Sequence, residues 1–268
     1  MNSKAWRLTA SLAFACGALA ASQASAAIQA TVLSSMPQMV TGEDALVQVS
    51  GATAAPVVTV GGKDVSAAFK KDAKGNYIGL VTGLAKGNND VAVTAGADKA
   101  TLTLVDHGIN ETLFAGPQQT PWVCEGDTFG LAKATTPDCA TPSVVKYFYK
   151  DKMANWKPFD PAGARPGDIS TAKINNKDVP LIIRQEMGTI NRGTYVISIL
   201  HDPAAGPAPT PTDRGGSAWT GKLAMGFGPG VGAGYHGGRN FGQFIAPSYA
   251  EDNNAYFDEL LTMGYATA

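Results

Sequence analysis

Short runs of alternating apolar and polar residues follow one another from residue 27 to residue 106. Alternation with a period of two is typical of strands that bury one face. Turn sequences separate the runs, and Gly61-Gly62 suits a two-residue hairpin between two of them. The predicted strands are 30–34, 45–50, 57–60, 63–69, 77–82, 90–95 and 100–105. Strands of this length and spacing predict an immunoglobulin-like β-sandwich.

The pattern changes after Asp106. Residues 107–143 are rich in proline, glycine and threonine, which predicts irregular structure. Strands are predicted at 144–149, 179–187, 194–200 and 222–227. A helix follows, with Ser248 and Glu251 as its capping box and Gly264 as its end, and a further strand begins at 265–268. Strand, glycine-rich turn, helix and strand in this order predict the start of an α/β sheet. The expected fold class is therefore mixed, with a sandwich at 27–106 and an incomplete α/β domain at 107–268.

The first 26 residues have the three parts of a secretory signal peptide. Lys4 and Arg7 precede an apolar run at 8–21, and Ala24-Ser25-Ala26 supplies small residues for signal peptidase. The run is shorter than the about 20 residues that span a bilayer. We therefore expect cleavage near Ala26-Ala27, a secreted or periplasmic protein, and no membrane span in the mature chain.

The charge balance and the cysteines indicate which partners and which covalent bonds to expect. The chain has 21 basic and 22 acidic residues, which gives no electrostatic reason to expect a nucleic-acid partner. Cys124 and Cys139 remain after removal of Cys16, and in an oxidising compartment such a pair is most simply a disulfide. A metal site or a reactive thiol is the alternative, but neither a CxxC motif nor a nearby histidine supports one.

The search for a catalytic nucleophile finds no good motif. Gly215-Gly216-Ser217-Ala218-Trp219 lacks the last glycine of GxSxG and follows a proline-rich loop instead of a strand, so Ser217 is not expected to act as one. The histidines have no metal-ligand spacing. We expect His107 and His201 to be ordinary hydrogen-bonded or solvated residues.

The glycine-rich segment 228–238 is the remaining candidate for chemistry. Its start resembles the dinucleotide pattern GxGxxA, but glycines continue where the helix of that motif would begin, so no cofactor is expected. A glycine-rich loop after a strand can also supply backbone N–H groups to an oxyanion. The competing interpretation is a loop without a catalytic role. Gly228 and Gly230 are the candidate residues, with His236 as a secondary one.

Four sequence strings carry a resemblance to a known family: VLSSMPQMVTGEDALVQV, GPQQTPWVCEG, PLIIRQEMGTINRGTYVISILHDP and WTGKLAMGFGPGVGAGYHGG. Together they resemble a large secreted bacterial family that is catalogued as a domain of unknown function and regarded as α/β-hydrolase-like. The resemblance covers nearly all of residues 31–268. It implies that 107–268 is the N-terminal part of a hydrolase-like domain, truncated before the nucleophile serine. The family's oxyanion-type loop matches the segment with Gly228, Gly230 and Val231, although Pro229 cannot donate a hydrogen bond.

Two functional hypotheses follow. In the first, the chain is the N-terminal part of an exported hydrolase-like protein whose full-length relatives act on small-molecule or polymeric esters. Without a nucleophile elbow, this chain is expected to be inactive on its own. In the second, it is a non-catalytic extracellular or periplasmic binding module. A damaged gene would also account for a missing nucleophile. The sequence defines neither a substrate nor an oligomeric state.

Overall fold

The computed structural model describes residues 27–108, 113, 120–190, 192–225, 236–237 and 254–268. Up to residue 107 the chain forms short strands and one 3₁₀ turn, Ser66–Ala68, within the stretch 63–69 that was predicted to be a strand. The strands are β1 (Gln29–Val32), β2 (Val40–Thr41), β3 (Asp44–Ser50), β4 (Val57–Val60), β5 (Lys63–Asp64), β6 (Lys70–Lys71), β7 (Tyr77–Thr82), β8 (Gly87–Ala95) and β9 (Asp98–His107).

These strands form two sheets around one core. One sheet has the order β1-β3-β7-β6 and the other the order β2-β9-β8-β4-β5. Alternate apolar residues of both sheets are fully buried in a shared cluster, among them Val47 and Val81 from the first sheet and Val58, Val91 and Leu104 from the second. Residues 29–107 are thus a β-sandwich, and this strand order also occurs in immunoglobulin-type sandwiches. Gly61-Gly62 forms the predicted two-residue turn between β4 and β5.

The rest of the described chain is also mainly strand. It contains the 3₁₀ turns Gly126–Phe129 and Pro203–Ala205 and the helix α1 (Asn254–Thr262). Its strands are β10 (Val123–Cys124), β11 (Val144–Lys150), β12 (Trp156–Pro158), β13 (Thr171–Ile174), β14 (Lys177–Pro180), β15 (Ile182–Ile190), β16 (Gly193–Leu200), β17 (Leu223–Ala224), β18 (His236–Gly237) and β19 (Ala266–Thr267).

Most of these strands belong to one six-stranded sheet with the order β12-β11-β15-β16-β19-β17. Its centre is the long hairpin of β15 and β16, in which residues pair from Ile183 opposite Leu200 to Ile190 opposite Gly193. β11 runs antiparallel to β15. One face of the sheet packs on a core that includes Trp156, Ile183, Leu200 and Leu261. β13 pairs with β14, and β10 pairs with β18.

The predicted fold class is wrong. In the described residues after 107, neighbouring strands are mainly antiparallel and α1 is the single α-helix. Antiparallel neighbours can be joined by hairpins, whereas parallel neighbours need crossovers, which are usually helical. The pair β17 and β19 is parallel with α1 between its strands in the chain, as the strand–helix–strand pattern suggested. The error was to extend this single unit to the whole region, which is a β-rich structure.

The helix α1 ends where the sequence predicted. Gly264 has a φ of +82°, its N–H donates to the carbonyl of Leu261, and the N–H of Tyr265 donates to the carbonyl of Leu260. This pair of bonds is a Schellman motif, in which glycine adopts the left-handed conformation at least cost. The predicted capping box of Ser248 and Glu251 lies outside the described residues.

Candidate functional site

One face of the six-stranded sheet carries a group of polar side chains, which we call the polar sheet face: Tyr147, Arg184, Glu186 and Tyr195. Side chains of a strand alternate between faces, so Arg184 and Glu186 share one face of β15 while Ile183 and Met187 enter cores on the other. Tyr147 of β11 lies directly opposite Arg184. The pairing of the central hairpin brings Tyr195 of β16 beside them.

The carboxylate of Glu186 joins this group together. Nη1 of Arg184 lies 2.9 Å from Oε2 of Glu186, and the Tyr195 hydroxyl donates to Oε1 at 3.0 Å. Burial raises the pKa of Tyr195, and the hydrogen bond to Glu186 raises it further. Tyr195 is therefore a neutral donor at ordinary pH, and both carboxylate oxygens are engaged.

Tyr195 can occupy this position because the residue opposite it is Gly188. A Cβ atom on Gly188 would lie 2.5 Å from Cε1 and from the hydroxyl oxygen of Tyr195. Real Cβ atoms do not approach other atoms so closely, so the ring lies across the space that a side chain at 188 would fill. An aromatic ring that covers a glycine on the neighbouring strand is a known device of β-sheets.

Tyr147 connects the polar sheet face to His201. Its hydroxyl lies 3.0 Å from Nδ1 of His201, while Nε2 lies 3.1 Å from the carbonyl oxygens of both Gly206 and Pro207. Carbonyl oxygens only accept, so Nε2 carries a hydrogen, and in the tautomer with its hydrogen on Nε2 alone, Nδ1 accepts from Tyr147. Burial raises the pKa of Tyr147, and the positive charge of Arg184 opposes this rise.

His201 is thus a structural residue, hydrogen-bonded as expected and 2% exposed. Its cross-strand partner is Ser217, whose Oγ is buried without a hydrogen-bond partner. A serine nucleophile needs a base within hydrogen-bond reach. In this structure Ser217 has none, because both ring nitrogens of His201 are used elsewhere. His107 is also hydrogen-bonded, through Nε2 to the carbonyl of Gln38.

The candidate oxyanion residues Gly228, Gly230 and Val231 lie outside the described residues. For His236 the backbone is described: it forms β18 with Gly237 and pairs in parallel with β10. The predicted disulfide between Cys124 and Cys139 is confirmed, with Cα atoms 5.3 Å apart.

The polar sheet face was missed by sequence reasoning. The available signal was the placement of Arg184 and Glu186 two residues apart inside an otherwise apolar strand, which puts both charges on one face. In the described part of the chain, no group of three or more histidine, cysteine or acidic side chains could hold a metal ion. Within the same residues, no helix is long and apolar enough to cross a membrane.

The described chain is therefore a β-rich protein with one disulfide and a polar face on its larger sheet. A profile of the Tannase-like family of unknown function (DUF6351) matches residues 30–268, so the chain belongs to this family. The description relates the family to hydrolases, and the predicted membership of a family of unknown function is confirmed. A search of curated proteins found no match.

Proposed function

We propose that this protein is an exported member of its hydrolase-related family and that the described part of the chain binds an ester-type ligand without cleaving it. The observation that carries the proposal is the polar sheet face. It presents the Arg184 guanidinium, whose remaining N–H groups can donate to the oxygens of an ester or a carboxylate. Glu186 and the two phenols surround this guanidinium, and the phenol hydrogens are already donated to Glu186 and His201.

Apolar side chains border this face on both sides. Glu186 lies between Val145 on β11 and Ile197 on β16, directly across the sheet. Val145 is 42% exposed and Ile197 is 40% exposed, although both occupy sheet positions. Ligand sites typically combine such apolar surface with a few polar groups that fix orientation. This mixture suits a ligand with a hydrocarbon part and an oxygen-bearing part.

Absence of cleavage is proposed from the geometry of Ser217 and His201. Ser217 has no base within hydrogen-bond reach, and Nε2 of His201 is held by two carbonyl groups. Purified protein should therefore release no more 4-nitrophenol from 4-nitrophenyl acetate than a Ser217→Ala variant does. That variant also removes a buried hydroxyl that has no partner, so we expect equal stability or a gain of up to about 1 kcal/mol. Turnover that disappears in Ser217→Ala would refute the proposal.

Binding can be measured with methyl benzoate and benzoate as probes, by isothermal titration of residues 27–268. We expect Glu186→Gln and Tyr195→Phe to weaken binding of at least one probe by roughly 5- to 30-fold, the effect of about 1–2 kcal/mol. Tyr77→Phe in the sandwich is the matched control and should bind as the wild type does. No binding of either probe, or equal binding by all variants, would contradict the assignment of the site.

Export and the division of the chain are part of the same proposal. The support is the tripartite N-terminal sequence together with the disulfide, which is typical of oxidising compartments. We further propose that the sandwich and the region after residue 107 are separate domains, because their buried clusters are distinct. Mass spectrometry of protein recovered from the periplasm or medium should find Ala27 at the N-terminus. A mature protein that retains residues 1–26 would contradict export with cleavage.

A further inference from the structure

Two very short strands, distant in the chain, lie side by side. Val123 of β10 pairs in parallel with His236 of β18, and Cys124 pairs with Gly237. β18 also lies beside β16, with Cα atoms within 8 Å. The pair therefore places the backbone of His236 and Gly237 against the central hairpin of the six-stranded sheet.

A two-stranded pair of this length is not stable by itself, since even longer isolated hairpins are marginal in water. One of its strands must be held from outside. The disulfide acts directly on β10, because Cys124 is both the residue opposite Gly237 and the residue bonded to Cys139. Cys139 is buried, with 4% of its surface exposed.

Contacts on either side of β10 complete its attachment to the sheet. The guanidinium of Arg192, in the loop of the central hairpin, lies 4.5 Å from the ring centroid of Trp122. After β10, Leu131 packs with Met187 of β15 in a small buried cluster. The segment that contains β10 is thus held to the sheet by Trp122 before Cys124 and by Leu131 after it, and the disulfide bonds Cys124 itself to Cys139.

We propose that the disulfide Cys124–Cys139 is a positioning device that holds His236 and Gly237 in register against the sheet. Its reduction frees Cys124 and loosens the pairing of β10 with β18, while the contacts of Trp122 and Leu131, the sheet and the sandwich persist. The sequence places His236 in the glycine-rich segment that was the candidate for oxyanion chemistry, and no feature of the sequence connects it to the cysteines. The inference rests on the strand pairing and the disulfide, so it does not depend on ligand binding by the polar sheet face.

The chemical step is thiol–disulfide exchange with a dithiol reductant. A thiolate of the dithiol attacks Sγ of Cys124, the more exposed of the two cysteines, and Cys139 leaves as a thiolate that takes up a proton. The second thiol of the reductant then attacks the mixed disulfide and releases Cys124. Two protein thiols are formed, and the reductant is oxidised to its disulfide.

Hydrogen exchange at single backbone amides tests the proposal. The oxidised protein is compared with the Cys124→Ser/Cys139→Ser variant and with wild-type protein reduced by dithiothreitol after folding. The amides of His236 and Gly237 should exchange at least about tenfold faster in the double variant and in the reduced wild type than in the oxidised protein. Opening a loop of 15 residues sets an upper limit of roughly a hundredfold on this increase. Amides of β8 and β9 in the sandwich and of Gln185 and Ser198 in the central hairpin should exchange at unchanged rates. Reoxidation of the reduced wild type should restore protection.

Unchanged exchange at His236 and Gly237, with both thiols shown to be free, would overturn the proposal. Equal loss of protection at Gln185 and Ser198 would also overturn it, because the disulfide would then stabilise the whole sheet without positioning one strand. The reduced wild type covers the case in which the double variant does not fold, since its sheet is already assembled when the disulfide opens.

Discussion

At the scale of single residues, the polar sheet face depends on the space above Gly188. The Tyr195 ring fills that space, and from there its hydroxyl reaches Glu186, which also pairs with Arg184. Each of these groups takes its position from the others. Glycine within a strand is otherwise unfavourable. Its presence at position 188 is therefore explained by the Tyr195 ring, which needs the space that a larger side chain would fill.

We predict that Gly188→Ala lowers the free energy of unfolding by about 1–3 kcal/mol, the usual cost of forcing an extra carbon into a filled space. It should also lower the pKa of Tyr195, because displacement of the ring from its site would break the bond to Glu186 and expose the phenol. Urea unfolding and ultraviolet titration of tyrosine measure the two effects. Gly193→Ala is the control in the same hairpin, since a Cβ there meets only an ordinary contact, 3.5 Å from the carbonyl of Ile190. Equal stability of the two variants would contradict the packing argument.

At the scale of elements, α1 is tied to the sheet by one carboxylate. Asp258 accepts from Nε1 of Trp156 at 2.9 Å and from Nζ of Lys150 at 2.6 Å. The neighbouring Leu261 enters the core with Trp156 and Ile183. Apolar burial drives the helix onto the sheet, and Asp258 fixes its position, because its two acceptor atoms must meet two donors on separate strands.

We predict that Asp258→Ala destabilises the protein by about 1–3 kcal/mol, since it leaves the largely buried Lys150 ammonium and the Trp156 N–H without their acceptor. Asp178→Ala is the matched control, because Asp178 pairs with Lys173 on the solvent-exposed hairpin of β13 and β14. Exposed pairs of this kind contribute about 0–1 kcal/mol. Chemical denaturation measures the free energy of unfolding of both variants. Equal decreases in the two variants would refute the role of Asp258 in anchoring α1.

Acid sensitivity is expected at the turn after β11. Asp151 accepts from Nζ of Lys157 at 2.8 Å and from the N–H groups of Asn155 and Met153, and these bonds lower its pKa from 3.8 to about 2. A carboxyl whose pKa is lower in the folded state stabilises that state above the unfolded pKa, and this contribution is lost as the pH falls through the folded value.

The contribution of Asp151 should therefore be complete above about pH 4 and disappear towards pH 2. Thermal unfolding of the wild type and of Asp151→Asn between pH 6 and pH 2 tests this pH dependence. The two midpoints should differ at pH 6 and converge near pH 2. Other carboxyl groups titrate in both proteins, so the difference between the curves isolates Asp151. A difference that stays constant with pH would contradict the prediction.

At the scale of the whole molecule, the described chain has one core between the two sheets of the sandwich and other cores on the six-stranded sheet. The disulfide closes a loop that lies entirely after residue 107. Since the disulfide constrains only that part of the chain, its reduction should leave the stability of the sandwich unchanged.

Calorimetry should accordingly resolve two unfolding transitions, and reduction with dithiothreitol should leave the transition of the sandwich unshifted. The isolated segment 27–108 should reproduce the unshifted transition. A single transition that moves as a whole on reduction would contradict the proposed division into two domains.

Sequence reasoning was accurate where the signal is local. The strands at 57–60 and 77–82 were located to the residue, Gly264 ends α1 as predicted, and Cys124 does bond to Cys139. It failed on the fold class after residue 107, where one parallel pair was extended to a whole sheet. It also gave no indication of the contact between Tyr147 and His201, which are 54 residues apart.

The sequence by itself therefore determined the longer strands of the sandwich, the end of the helix and the disulfide partners. Each follows from neighbouring residues: a period-two burial pattern, a glycine that can adopt positive φ, and two cysteines close in the chain. Only the tertiary structure decided the order of the strands, the polar sheet face and the pairing of β10 with β18. These depend on which distant segments meet, and the free energy of such contacts comes from packing and hydrogen bonding across the sheet, which no local pattern records.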